Sequence, residues 1–192
     1  YFGKEENKFV LGKMKKQCRI ELKQAESVGE KESLLQAVNV RGLEKVRAII
    51  QSAIDEQCLE LFTETSDLSQ RLLFLRSGVS LDIKIQMAQH ILDNLSGEES
   101  GYIDILEYVI QGLPIRSLPR ERSEKMIADW ARKNVKKARS LKRLLVWICR
   151  AKHDIIKSVY LSEYLKRVKR NSDRWKVLPA VPQGERDEFL MK

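Results

Sequence analysis

The sequence predicts an all-α protein, a multi-helix bundle or set of stacked helix pairs with about seven or eight helices. Three observations predict it. Apolar residues recur at intervals of three and four along nearly the whole chain, which is the period of an amphipathic helix. Alternating runs rich in β-branched residues, the mark of half-buried strands, are nearly absent. Proline is scarce, with four in 192 residues, so few stretches are barred from helix.

The elements follow in order. Val10, Met14, Cys18, Leu22 and Ala25 form one apolar stripe, in a helix expected to end near Gly29. Leu34, Leu35, Val38 and Val40 predict a short helix after it. Leu43, Val46, Ile50, Ile54, Cys58 and Leu61 form a second long stripe, entered after Gly42. Ser66 and Ser80 are each placed to accept amide protons of a following helix, with Asp67 and Asp82 in the first turn, where the helix dipole favours negative charge. After Ser80, the residues Leu81, Ile85, Ala88, Leu92 and Leu95 share one face, and Gly97 closes the segment. Residues 97–101 are polar and read as a loop. A short helix runs from Tyr102 to about Gln111, ended by Gly112 and Pro114. Ser117 and Pro119 open a long helical region to about Arg150, with an interruption near Ser140, and the spacing fits one helix or two. Another helix covers about Asp154 to Arg170, and Val177 to Pro182 reads as an extended tail, docked or mobile.

Charge divides the same chain. Residues 120–176 hold 19 Lys and Arg against 6 Asp and Glu, a local balance of +13, whereas residues 31–119 balance at −5. The jump coincides with the connector Leu113-Pro114-Ile115-Arg116-Ser117. The expected organisation is a neutral to acidic helical subdomain over 1–112, a basic helical subdomain over 113–176 packed on it, and a proline-containing tail over 177–192. No residue pattern returns convincingly at a period of 30–50 residues, although stacked helix pairs of the HEAT kind stay compatible with the helix lengths.

Placed at 100° intervals from Ser117 to Arg150, Ile127, Ala131, Ala138, Leu141, Leu145 and Ile148 fall on one side with Trp130 beside them. Lys125, Arg132, Lys136, Arg139, Arg143 and Arg150 fall opposite, so the helix carries a cationic ridge; a break near Ser140 would leave each half its own register. Trp147 lies toward the ridge. The next helix adds Lys166, Arg167, Lys169 and Arg170, a cluster that resembles a minimal nuclear-import signal, and Trp175 follows in a polar stretch. These twelve residues are the expected binding face. Cations are usual on a solvated helix face, but surfaces built for solubility alone mix both signs, and between Lys125 and Arg150 the only acid is Asp129.

Such a face attracts an acidic protein surface or, through its phosphates, RNA or DNA. The expected function is a non-enzymatic helical adaptor or scaffold that binds an acidic protein partner, with nucleic-acid binding as the alternative. The acidic 31–119 segment is a further source of complementary charge, within one molecule or across a homodimer, and a membrane surface is the weaker match.

Catalysis finds no support in the residues. The chain has no phosphate-binding glycine loop, dinucleotide turn, His-Glu-x-x-His pair or serine elbow, and it has only two histidines. No cofactor is expected. Cys18, Cys58 and Cys149 are far apart, without the short paired spacings of zinc sites, so no metal site is expected and the thiols are expected to be buried in a reducing compartment. His90 and Asp93 are spaced to meet on a helix, and His153 reads as a helix start. The longest apolar run, Leu144 to Cys149, is far shorter than the roughly 20 residues of a spanning helix. The opening residues lack the basic and apolar regions of a signal peptide. The expected location is intracellular, cytoplasmic or nuclear, with secretion after loss of a preceding segment as the other compatible route.

Overall fold

The computed structural model of the chain describes residues 4–39, 41–97, 101–168, 174–181 and 186. Among them are nine α-helices, one more than the upper expectation, and a short 3₁₀ helix, with no strand. The helices are α1 Lys4–Gln24, α2 Val28–Ala37, α3 Glu44–Glu64, α4 Leu68–Phe74, α5 Leu81–Asn94, α6 Tyr102–Gly112, α7 Leu118–Val135, α8 Leu141–Arg150 and α9 Asp154–Arg167. The chain divides into two compact units, Tyr1–Pro119 and Arg120–Lys192.

In the first unit α3 is the hub, packing against α1, α2, α4 and α5. Leu43, Val46, Ile50, Ile54 and Cys58 are buried along it as their spacing predicts. The stripe then ends on Phe62, 2% exposed, and not on Leu61, which is 39% exposed. Phe62 meets Phe74 of α4 edge-on at 6.3 Å and His90 of α5 at 5.5 Å, so one ring joins three helices. His90 therefore packs on an aromatic ring, while Asp93 accepts a hydrogen bond from Gln89.

Several local expectations are corrected. The first stripe does not run to Gly29, because Ser27 and Glu30 form a capping box that starts α2: Ser27 Oγ accepts from the Glu30 amide at 3.2 Å, and Glu30 Oε2 accepts from the Ser27 amide at 3.0 Å. Gly29 lies inside α2. The cap of α4 is Asp67, whose carboxylate accepts from the Ser69 amide at 2.8 Å, and not Ser66. Ser80 does precede α5, but its side chain makes no cap; its amide donates to Asp55 Oδ1 at 2.7 Å, tying the α4–α5 connector to α3. The buried face of α5 is Met87, Ala88, Ile91 and Leu92, rotated from the expected one, so Leu81 is exposed and Ile85 half-buried. Gly42, at φ +94°, makes the turn into α3 in a conformation that disfavours any side chain.

In the second unit the long helical region is two helices. Turn-type bonds from the Lys137 and Ala138 amides to the Asn134 and Val135 carbonyls close α7, and Ser140 Oγ caps α8 by accepting from the Arg143 amide at 3.2 Å. A strong cap so soon after Val135 outweighs continuation, and the half-ridges lose common register. α8 packs on α9 and on the 3₁₀ helix Trp175–Ala180. The core holds Ile127, Ala131, Val135, Ala138, Leu144, Ile148, Ile156, Tyr160 and Tyr164. α9 ends at Arg167, three residues before the expected limit. The tail is not extended in its described part: Val177 and Val181 are buried, and their burial winds residues 175–180 into a tight helix that contains Pro179. Among the described residues no helix is long and apolar enough to cross a membrane.

Candidate basic interface

The basic residues of the second unit reach solvent for a sequence reason. Ten Lys and Arg lie between Lys125 and Lys152, and all ten fall at positions that α7, the α7–α8 turn, α8 and the turn after it present outward. Asp129 is the only acid in that span. It pairs with Arg132 at 2.7 Å, both side chains being more than half exposed. Among the described residues none of the other nine cations is in an ion pair. Exposed pairs of this kind contribute little, about 0.2–1 kcal/mol, so Arg132 keeps most of its capacity to bind elsewhere.

The expected residues do not form one ridge. Five of them line two recesses, both within the second unit and both lined by residues of α7 and α9. The first, about 540 Å³, is lined by Arg132 of α7, Lys136 of the turn after it and Lys166 of α9, with Ser158 and Ser162 on its wall. Ser158, Ser162 and Lys166, at i, i+4 spacing on one face of α9, line it together with Arg132 of α7 and Lys136 of the following turn. Glu163 also lines this groove, and its Oε1 accepts from Arg167 Nε at 2.8 Å, so its charge is matched.

The second recess, about 360 Å³, is aromatic. Trp130, Trp147 and Tyr160 line it with Arg150, Asn134 and Ile156. Trp147 and Tyr160 have ring centroids 5.6 Å apart, and the Arg143 guanidinium lies over Trp147 at 5.4 Å. That stacking of cation on ring stabilises both groups in place. Trp130, expected beside the apolar side, is half-buried and lines this recess, and Asn134 Nδ2 donates to its backbone carbonyl at 3.0 Å. Burial of Tyr160 pushes its phenol above the ordinary tyrosine value.

The remaining expected residues are placed as follows. Lys125 and Arg139 are exposed on α7 and in the α7–α8 turn. Arg167 is turned to structure: besides Glu163, it bonds the Ala138 carbonyl through Nη1 at 2.6 Å. Lys169 and Arg170 lie outside the described residues, as does the Trp175 side chain. Of the cysteines, Cys18 and Cys58 are buried as expected, but Cys149 is exposed, because α8 turns Ile148 inward and the next position outward. Ser158 and Ser162 were outside the expected face; their signal was the four-residue spacing that leads to Lys166.

Comparison of the chain with protein-family models, curated proteins and solved structures gives no match in any of the three.

Proposed function

We propose that the protein is a non-enzymatic helical adaptor whose second unit binds an acidic segment of a protein partner. The observation that carries this reading is the run of ten exposed cations over Lys125–Lys152, with a single carboxylate that neutralises one of them. Uncompensated like charge destabilises a compact unit by self-repulsion, and an acidic ligand relieves it. Two features favour a protein over a nucleic acid. The cations sit on short helices of separate register, which offers no straight ridge to follow a phosphate backbone. Trp147, the ring on the expected face that could stack on bases, is already in contact with Tyr160 and with the Arg143 guanidinium.

The test is fluorescence anisotropy with a labelled decaglutamate peptide and with single- and double-stranded oligonucleotides, titrated from low to physiological salt. The reading expects peptide binding that weakens as salt rises and disappears in the triple variant Lys136→Glu, Arg139→Glu, Arg143→Glu. Peptide binding unchanged by the triple variant overturns it. Oligonucleotide binding tighter than peptide binding, with a steep salt slope lost in the same variant, replaces it with the nucleic-acid reading.

A further inference from the structure

We infer that the polar groove between α7 and α9 is a binding site for a phosphate monoester carried on a side chain of the partner. The inference rests on the adaptor reading and names the chemistry of its ligand. Arg132, Lys136 and Lys166 line the groove with the hydroxyl-bearing Ser158 and Ser162. The two serines are exposed, and neither hydroxyl is hydrogen-bonded among the described residues. Cations and neutral hydroxyl donors that converge on one recess are the complement of a tetrahedral oxyanion, whose oxygens accept several hydrogen bonds at once.

The charge count selects the monoester. Asp129 offsets Arg132 and Glu163 offsets Arg167, which leaves Lys136 and Lys166 unmatched. Two unmatched cations suit a phosphorylated side chain, which carries close to two negative charges at neutral pH, better than a backbone phosphodiester, which carries one. A carboxylate also carries one, and it offers two acceptor oxygens where a phosphate monoester offers three. The Arg132 fork keeps free N–H groups beyond the one given to Asp129, because its Nη1 alone makes that bond.

The experiment titrates the full chain with three labelled peptides of one sequence, Gly-Gly-X-Gly-Gly, in which X is serine, phosphoserine or glutamate, alongside decaglutamate and a ten-nucleotide single-stranded RNA. Phosphoserine is expected to bind at least about tenfold tighter than glutamate or serine. The double variant Ser158→Ala, Ser162→Ala is expected to remove that preference while leaving decaglutamate binding unchanged, and Lys136→Ala with Lys166→Ala to remove it as well. Ser158, Ser162, Lys136 and Lys166 are all exposed, and circular dichroism checks that each variant keeps its helices. No histidine lines the groove, so the phosphoserine preference should grow between pH 5 and 7.5 as the phosphate loses its second proton, at a pKa of about 6. Equal binding of phosphoserine and glutamate overturns the phosphate site while decaglutamate binding leaves the adaptor reading standing. Inorganic phosphate that competes as well as the phosphopeptide overturns the side-chain source in favour of a free anion. RNA binding that is tighter than phosphopeptide binding and lost in both double variants overturns it in favour of nucleic acid.

Discussion

Arg167, in the last turn of α9, donates from Nη1 to the carbonyl oxygen of Ala138 at 2.6 Å, so the end of one helix holds the break between two others. Ala138 is fully buried, and a buried carbonyl left without a donor is costly. The same guanidinium bonds Glu163 through Nε, which fixes its plane. Arg167→Ala is therefore expected to destabilise the second unit by about 1–3 kcal/mol, the cost of leaving a buried acceptor unsatisfied. Arg167→Lys should recover only part of this, since an ammonium cannot make both bonds in one plane. Urea unfolding decides it: an unchanged midpoint for Arg167→Ala would return this residue to the binding face.

Phe62 and Leu61 are adjacent in α3 and should differ sharply. The Phe62 ring is buried where α3, α4 and α5 meet, with the Arg71 guanidinium 5.5 Å above it. Phe62→Ala is expected to cost about 3–5 kcal/mol, as removal of a buried aromatic ring does. Leu61→Ala, at a substantially exposed position, should stay within about 1 kcal/mol. On α5 the same contrast holds more weakly, with Leu92→Ala costing more than Ile85→Ala, because the former is buried and the latter half-buried. Thermal unfolding of the four variants would contradict the packing if Leu61→Ala proved the worst.

How much of this was legible can be argued from those residues. Helical period and the α3 stripe through Cys58 were readable because i+3 and i+4 spacing places residues on one face whatever they pack against. The choice of Phe62 over Leu61 was not, because both continue the stripe and only the neighbours α4 and α5 decide between them. Capping followed the same division. Ser140 was readable as an interruption, whereas the capping box at Ser27 and Glu30 competed with an uninterrupted apolar stripe and won. On the candidate site, composition marked the basic stretch, because Asp129 is the only acid over Lys125–Lys152. Helical spacing singled out six of its ten cations, Lys125, Arg132, Lys136, Arg139, Arg143 and Arg150, but not Lys133, Lys137, Lys142 or Lys152. The placing of Arg132 and Lys136 in a polar groove and of Arg150 in an aromatic recess depends on how α7, α8 and α9 are arranged, which no single helix encodes.

Cysteine reactivity separates Cys149 from the other two. Cys149 is exposed on α8, whereas burial pushes the Cys58 thiol up from the ordinary range, and burial with the nearby Glu21 carboxylate does the same for Cys18. Since the thiolate is the reactive form, a native protein sample is expected to react rapidly with one equivalent of a disulfide reagent and slowly with two more. Cys149→Ser should abolish the fast phase. A fast phase of two or three equivalents would show that α1 or α3 opens more readily than its packing implies.

The Glu30 cap makes a pH-dependent contribution whose sign is fixed by its partners. Amides of Ser27 and then Glu26, followed by the Ser27 hydroxyl, hold the Glu30 carboxyl below the ordinary glutamate value, because each donates to the charged form. A carboxylate depressed in the folded state stabilises it fully above the unfolded value of about 4.3 and loses that contribution as pH falls through the lower folded value. Glu30→Gln keeps an acceptor but not the charge. The variant should therefore be less stable than the parent at pH 7 and 5.5, and the gap should close as pH falls from about 4.3 toward 3. Unfolding midpoints at those pH values measure it. A gap that stays constant to pH 3 would mean that the carboxylate charge contributes nothing to the α2 cap, and that Ser27 alone starts the helix.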